Sequence, residues 1–109
     1  MSVDGADFLA DNPAVLYIGI DPGKTGAIAI LGEDGRVEHV RKMPETPRDV
    51  FIWLRGIAGM GPRRALLERV HSQPEQGHVG AFHFGQGFGH LEMALIATNT
   101  PYDLVVPQK

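Results

Sequence analysis

VLYIGIDPGKTGAIAIL, residues 15–31, holds two apolar runs separated by a turn, and the rest of the chain arranges itself around them. Val15 to Ile20 is almost wholly apolar, the pattern of a strand buried on both faces near the middle of a sheet. Asp21 is the first charge after it. Pro22, Gly23 and Gly26 then supply turn chemistry, and Ala27 to Leu31 is strand-like again, so the stretch reads as a β-hairpin.

Working outward, Asp34-Gly35 is a two-residue turn signal that introduces a third strand around Val37 to Met43. Thr46, Pro47 and Asp49 match an N-cap, a first-turn proline and an acidic capping partner. The helix they start runs through Val50, Phe51, Trp53, Leu54 and Ile57, apolar on one side, and stops at Gly59, Gly61 and Pro62. Ala65 to Glu68 is the next strand, preceded by Arg63 and Arg64. Phe84, Phe88, Leu91 and Leu95 recur at helical spacing after a loop reaching Gly80, and predict a second helix to about Thr98. Gly77 and Gly80 fall before that periodicity and read as loop. Phe82 and Phe84 read as core with Phe88. Tyr102 to Val106 is a fifth strand.

The order is β-β-β-α-β-α-β, an α/β fold. Because each helical crossover returns right-handed to a parallel strand, a mixed five-stranded sheet ordered 3-2-1-4-5 follows, with helices on its faces. Asp21 and Glu68 then emerge together at the carboxyl ends of adjacent parallel strands, the edge at which open α/β sheets place ligands.

The chain has 109 residues, enough for one compact domain. It has no cysteine, which excludes disulfides, thiol catalysis and cysteine zinc sites. Formal net charge is -3 at pH 7, so nucleic-acid binding requires a local basic patch. The N-terminal residues carry Asp4, Asp7 and Asp11 and no long apolar run, unlike a signal peptide, and residues 1–13 read as a flexible leader. No stretch reaches the roughly 18 apolar residues of a membrane span, so a soluble, cytoplasmic protein is expected.

Gly23-Lys24-Thr25 lacks the glycine five positions earlier that a phosphate loop requires, and a strand rather than a helix follows it. Asp21 at the end of an apolar strand needs compensation, either by turn N–H groups or by a metal ion. A second acid, Glu68, ends a second strand with no evident basic partner between the two, which favours a hard cation such as Mg²⁺ or Mn²⁺. The five histidines lack zinc-ligand spacing and read as surface or loop residues, although His71 lies just beyond Glu68. Lys24, Arg69, His71 and Lys109 are the candidate phosphate contacts, being at or next to the carboxylate edge.

IGIDPGKTGAIAIL at 18–31 resembles the first hairpin of the RuvC-like Holliday junction resolvases, in which Asp-Pro-Gly follows an apolar strand with Thr-Gly just after. LLERVHSQPEQGHVGAFHFGQGFGHLEMALIA at 66–97, followed by PYDLVVPQK at 101–109, is similar to the phage and prophage type. The resemblance implies an RNase H-like fold over residues 14–109 and cleavage of four-way DNA junctions by a homodimer using two Mg²⁺ or Mn²⁺ ions. It implies that Asp21 and Glu68 are the catalytic metal ligands. The family places further acids on a helix after the fifth strand, so the resemblance also implies a C-terminally shortened domain. Asp103 and Glu92 do not fall at the matching positions. Two other functions remain open: a noncatalytic DNA-binding or dimerisation module of the same fold, and a nucleotide-binding fragment of the actin and hexokinase type.

Overall fold

The structure is a computed structural model describing residues 15–69 and 77–106. Its elements are β1 (Leu16–Asp21), β2 (Ala27–Leu31), β3 (Val37–Lys42), α1 (Pro47–Ala58), β4 (Arg63–Glu68), α2 (Gly77–Ala97) and β5 (Tyr102–Val105). They build one five-stranded sheet in the order β3-β2-β1-β4-β5, as the sequence predicts. β1 pairs antiparallel with β2, and β2 with β3, whereas β4 runs parallel to β1 and β5 parallel to β4. The expected leader, residues 1–13, lies outside the described residues.

Alternation along the strands sends Ile18, Ile20, Ile28, Ile30, Ala65 and Leu67 to one face. There they meet Val50, Leu54 and Ile57 of α1 and Leu91, Ala94 and Leu95 of α2. Each such burial contributes about 1.5–3 kcal/mol for a large aliphatic side chain. The apolar run of β1 predicts burial on both faces, and the structure buries one. Ile18 is 1% exposed, but Tyr17, pointing the other way, is 39% exposed. Both helices pack on the same side, so among the described residues no helix covers the face carrying Tyr17, Leu31, Val40 and Leu66.

α1 begins as its sequence dictates: Thr46 Oγ1 accepts the Asp49 N–H at 3.1 Å, and Pro47 occupies the first helical position. α2 starts at Gly77, so Gly77 and Gly80, expected in a loop, are both helical. Packing of Phe88, Leu91 and Leu95 against the sheet outweighs the poor helix propensity of the glycines. Phe82, expected in the core, is 66% exposed because it projects from the opposite side of the helix. α2 ends in a Schellman arrangement. The Thr100 N–H donates to Leu95 O at 2.9 Å and the Asn99 N–H to Ile96 O at 3.0 Å, with Asn99 left-handed at φ 54.

Arg63, at the start of β4, ties the two helix ends together. Its Nε donates to Thr100 Oγ1 at 3.0 Å, its Nη1 to Gly61 O at 2.9 Å and Ala58 O at 3.3 Å, and its Nη2 to Asn99 O at 3.2 Å and to Thr98 O. The guanidinium therefore satisfies carbonyls at and just beyond the C-termini of α1 and α2, where the helix dipoles favour a cation.

Candidate functional site

Asp21 is the last residue of β1 and Glu68 the last of β4. The parallel register runs from Leu16↔Arg63 to Ile20↔Leu67, so its next step sets Asp21 beside Glu68. Adjacent strands lie about 4.8 Å apart, close enough for two carboxylates to share one cation. Because Ile20 and Leu67 point into the core, alternation turns both acids toward the face without helices. Asp21 is exposed and Glu68 half-buried. Their other strand partners are Ala27 and Val105, which offer no charge.

The ion pairs among the described residues are Arg36–Asp34 at 3.6 Å and Arg64–Asp103 at 2.7 Å, and neither site acid takes part. No group of three or more His, Asp or Glu side chains among the described residues is arranged to hold a metal. The donor set is thus a carboxylate pair. That set fits Mg²⁺, which is commonly held by one or two carboxylates while waters and substrate phosphates complete its octahedron.

The hairpin turn holds Asp21 in place. A Cβ at Gly26 would fall 1.9 Å from the Asp21 carbonyl oxygen, so only glycine fits there. Its N–H donates to Gly23 O at 3.1 Å, and its carbonyl accepts the Met43 N–H at 3.0 Å, anchoring the turn to the end of β3. Gly23 adopts φ 113, a conformation other residues rarely reach.

Lys24 is exposed in this turn, beside the acids' edge of the sheet. Arg69, also exposed, follows Glu68 directly, and its N–H donates to Val105 O at 2.7 Å. The structure therefore brings Asp21, Glu68, Lys24 and Arg69 to one end of the sheet. His71 and Lys109 lie outside the described residues. The described histidines, His39, His78, His83 and His90, are exposed, as expected.

Asp103 and Glu92, the acids weighed against the resemblance, are engaged elsewhere. Asp103 accepts Arg64 Nε at 3.0 Å and Nη2 at 2.7 Å, and Glu92 accepts the Tyr102 hydroxyl at 2.9 Å. The Glu92 hydrogen bond, then burial, then the Glu92 charge, raise the Tyr102 pKa above its ordinary 10.0. A group with a raised folded-state pKa stabilises the fold below its unfolded pKa and loses that contribution as pH rises through the folded one. We expect Glu92→Gln to lower the Tyr102 pKa, read as an earlier rise of tyrosinate absorbance for that residue in an ultraviolet alkaline titration.

No protein-family model matches the sequence, and no curated protein matches it either. The sheet order and the two helices packed on one face match the fold of RuvC. The solved structures it is similar to include Thermus thermophilus RuvC in complex with a Holliday junction substrate, with TM-score 0.61 and 17% identity over 85% of this chain. A second is the Thermus thermophilus RuvC structure, with TM-score 0.58 and 18% identity over 84% of this chain. The chain spans 65% and 64% of their respective lengths.

Proposed function

We propose that the chain is a metal-dependent, structure-selective endonuclease that resolves four-way DNA junctions in the cytoplasm, in recombination, repair or phage DNA processing. The observation that carries this reading is the pairing of Asp21 and Glu68, without a basic partner among the described residues, at the carboxyl ends of β1 and β4. The fold likeness to a RuvC bound to a Holliday junction substrate supports branched DNA as the substrate class. Among the described residues no helix is long and apolar enough to cross a membrane.

Asp21 and Glu68 would hold Mg²⁺ or Mn²⁺, two ions in the complete site, with further ligands from phosphate oxygens and water. When bound, the ions supply Lewis-acid stabilisation of the phosphoryl charge and an activated water for in-line attack. The carboxylates neutralise and orient the cations. Lys24 and Arg69 flank the pair and draw the DNA backbone toward it, giving a net-acidic chain the local positive charge that binding requires. The test is cleavage of a synthetic four-way junction in Mg²⁺ by the wild type and by carboxylate variants. A noncatalytic DNA-binding module is the second reading, favoured by the lack of a third acid in the cluster among the described residues. Junction binding without cleavage would select it.

A four-way junction is met by two copies of the chain, and α2 carries a face suited to pairing them. Val79, Phe82, Met93 and Ile96 are 71%, 66%, 61% and 55% exposed and, spaced three, eleven and three residues apart, lie on one side of the helix, opposite the stripe that packs on the sheet. A helix apolar on opposite sides is normally covered on both. In a two-fold antiparallel arrangement Val79 meets Ile96 of the partner subunit and Phe82 meets Met93 of the partner subunit. Those side chains and the glycine backbone between them bury on the order of 1,000 Å² in total, the threshold for a specific interface. Phe82→Glu with Met93→Glu is therefore expected to give a monomer of unchanged helical content by light scattering and circular dichroism. A dimer that persists would remove α2 from the interface.

A further inference from the structure

The register of the sheet sets a cation in line with the two acids. Asp21 pairs with Ala27 of β2, and Ala27 pairs in turn with Lys42 of β3. One row across the strands therefore reads Lys42, Ala27, Asp21, Glu68 and Val105. Residues directly opposite one another in a sheet point to the same side, so Lys42 shares with the acids the face that carries no helix. Adjacent strands lie about 4.8 Å apart, which puts the Lys42 backbone about 10 Å from that of Asp21. Only the methyl group of Ala27 stands between them in the row.

The residues on either side of Lys42 fix this orientation. Arg41 pairs with Ile28, which is buried under the helices, so Arg41 points to the helix side. Met43 packs against the same core, and its N–H bond to Gly26 O fastens the end of β3 to the turn that follows Asp21. Lys42 itself is exposed and makes no ion pair among the described residues. Arg64, which pairs with Tyr17 and so stands on the same face, is held by Asp103 at 2.7 Å. On the other side of the acids the row ends in the uncharged Val105. Within the row, uncompensated positive charge thus lies toward β3 and none lies toward β5.

We propose that Lys42 holds a phosphate of the strand being cut, adjacent to the phosphate at the acid pair, so that this strand crosses the sheet over Ala27 and leaves by the β3 edge. The small side chain at position 27 keeps that path flat. The ammonium supplies positive charge where the backbone has moved beyond the reach of cations held at the acids. Lys42 binds and orients the strand and takes no part in bond breaking. The proposal rests on the nuclease reading for its substrate, and its test reads binding without cleavage.

The probe is a fluorescently labelled synthetic four-way junction, bound at rising salt in chelator so that nothing is cut, and followed by anisotropy. Lys42→Ala is expected to lower the slope of log affinity against log salt by about one phosphate contact. It should also weaken binding about fivefold, the scale of one exposed ion pair. Lys42→Arg is expected to restore both. Arg41→Ala removes the same charge one residue away but from the other face, and is expected to change neither. All of these variants should melt with the wild type. Equal slopes for wild type and Lys42→Ala, or an equal loss in Arg41→Ala, would overturn the assignment even where the wild type cuts junctions in Mg²⁺. A Lys42-dependent slope in a wild type that cuts no junction would instead overturn the nuclease reading and leave the strand path standing.

Discussion

Junction cleavage in Mg²⁺ is expected to fall by about 10²–10³-fold or more when Asp21 becomes Asn or Glu68 becomes Gln, the scale set by removing one charge-stabilising group from a preorganised site. Each substitution keeps the side-chain shape and deletes a charge that the cation needs. A second signature separates this loss from misfolding. Without metal, two neighbouring carboxylates lacking a basic partner among the described residues repel one another, so either variant is expected to match or exceed the wild-type melting temperature in chelator. Added Mg²⁺ should then stabilise the wild type and leave the variants unmoved, since only the former binds it in the folded state. Cleavage within a few-fold of wild type, or an equal Mg²⁺-induced shift in melting temperature, would show that the pair is not the cation site.

Arg63→Ala is expected to cost about 3 kcal/mol of folding stability or more, because a part-buried charged hub is removed and its acceptors lose their partner together. The carbonyls of Ala58, Gly61, Thr98 and Asn99 lie around the ends of two helices, and the loss should loosen both. Arg63→Lys is expected to recover only part of the difference, since one ammonium cannot reproduce the planar fork that spans both helix ends. Urea unfolding of the three proteins measures this. A loss under about 1 kcal/mol, the typical net value of a single hydrogen bond, would mean that water replaces the guanidinium at little cost.

The sheet order and the placing of Asp21 beside Glu68 were legible because they follow from local signals and a chirality rule. An apolar run ending in an acid occurs twice, and a right-handed crossover returns the second beside the first. The open face of β1 was not legible. An apolar strand reads the same whether helices cover one side or both, and which side α2 chooses is decided by tertiary packing. Glycines hid the first turn of α2 for a related reason, since propensity counts against a helix that the sheet nevertheless holds. Arg63 carried no signal at all: its partners come from the ends of two helices, and in the sequence it is only a base before a strand.

The parallel pairing of β1 with β4 also sets a timetable for the chain as it is made. The β1–β2–β3 meander is built from neighbours in sequence and closes early, whereas β4 must wait for α1 to be synthesised and to cross the sheet. Asp21 therefore emerges from the ribosome well before the residue that completes its pair. Until Glu68 arrives, the nascent chain presents a lone exposed carboxylate with little hold on a divalent ion. On the proposed reading the power to cut DNA is born late, at the step that joins the two halves of the sheet, and an interrupted chain is harmless to the genome around it.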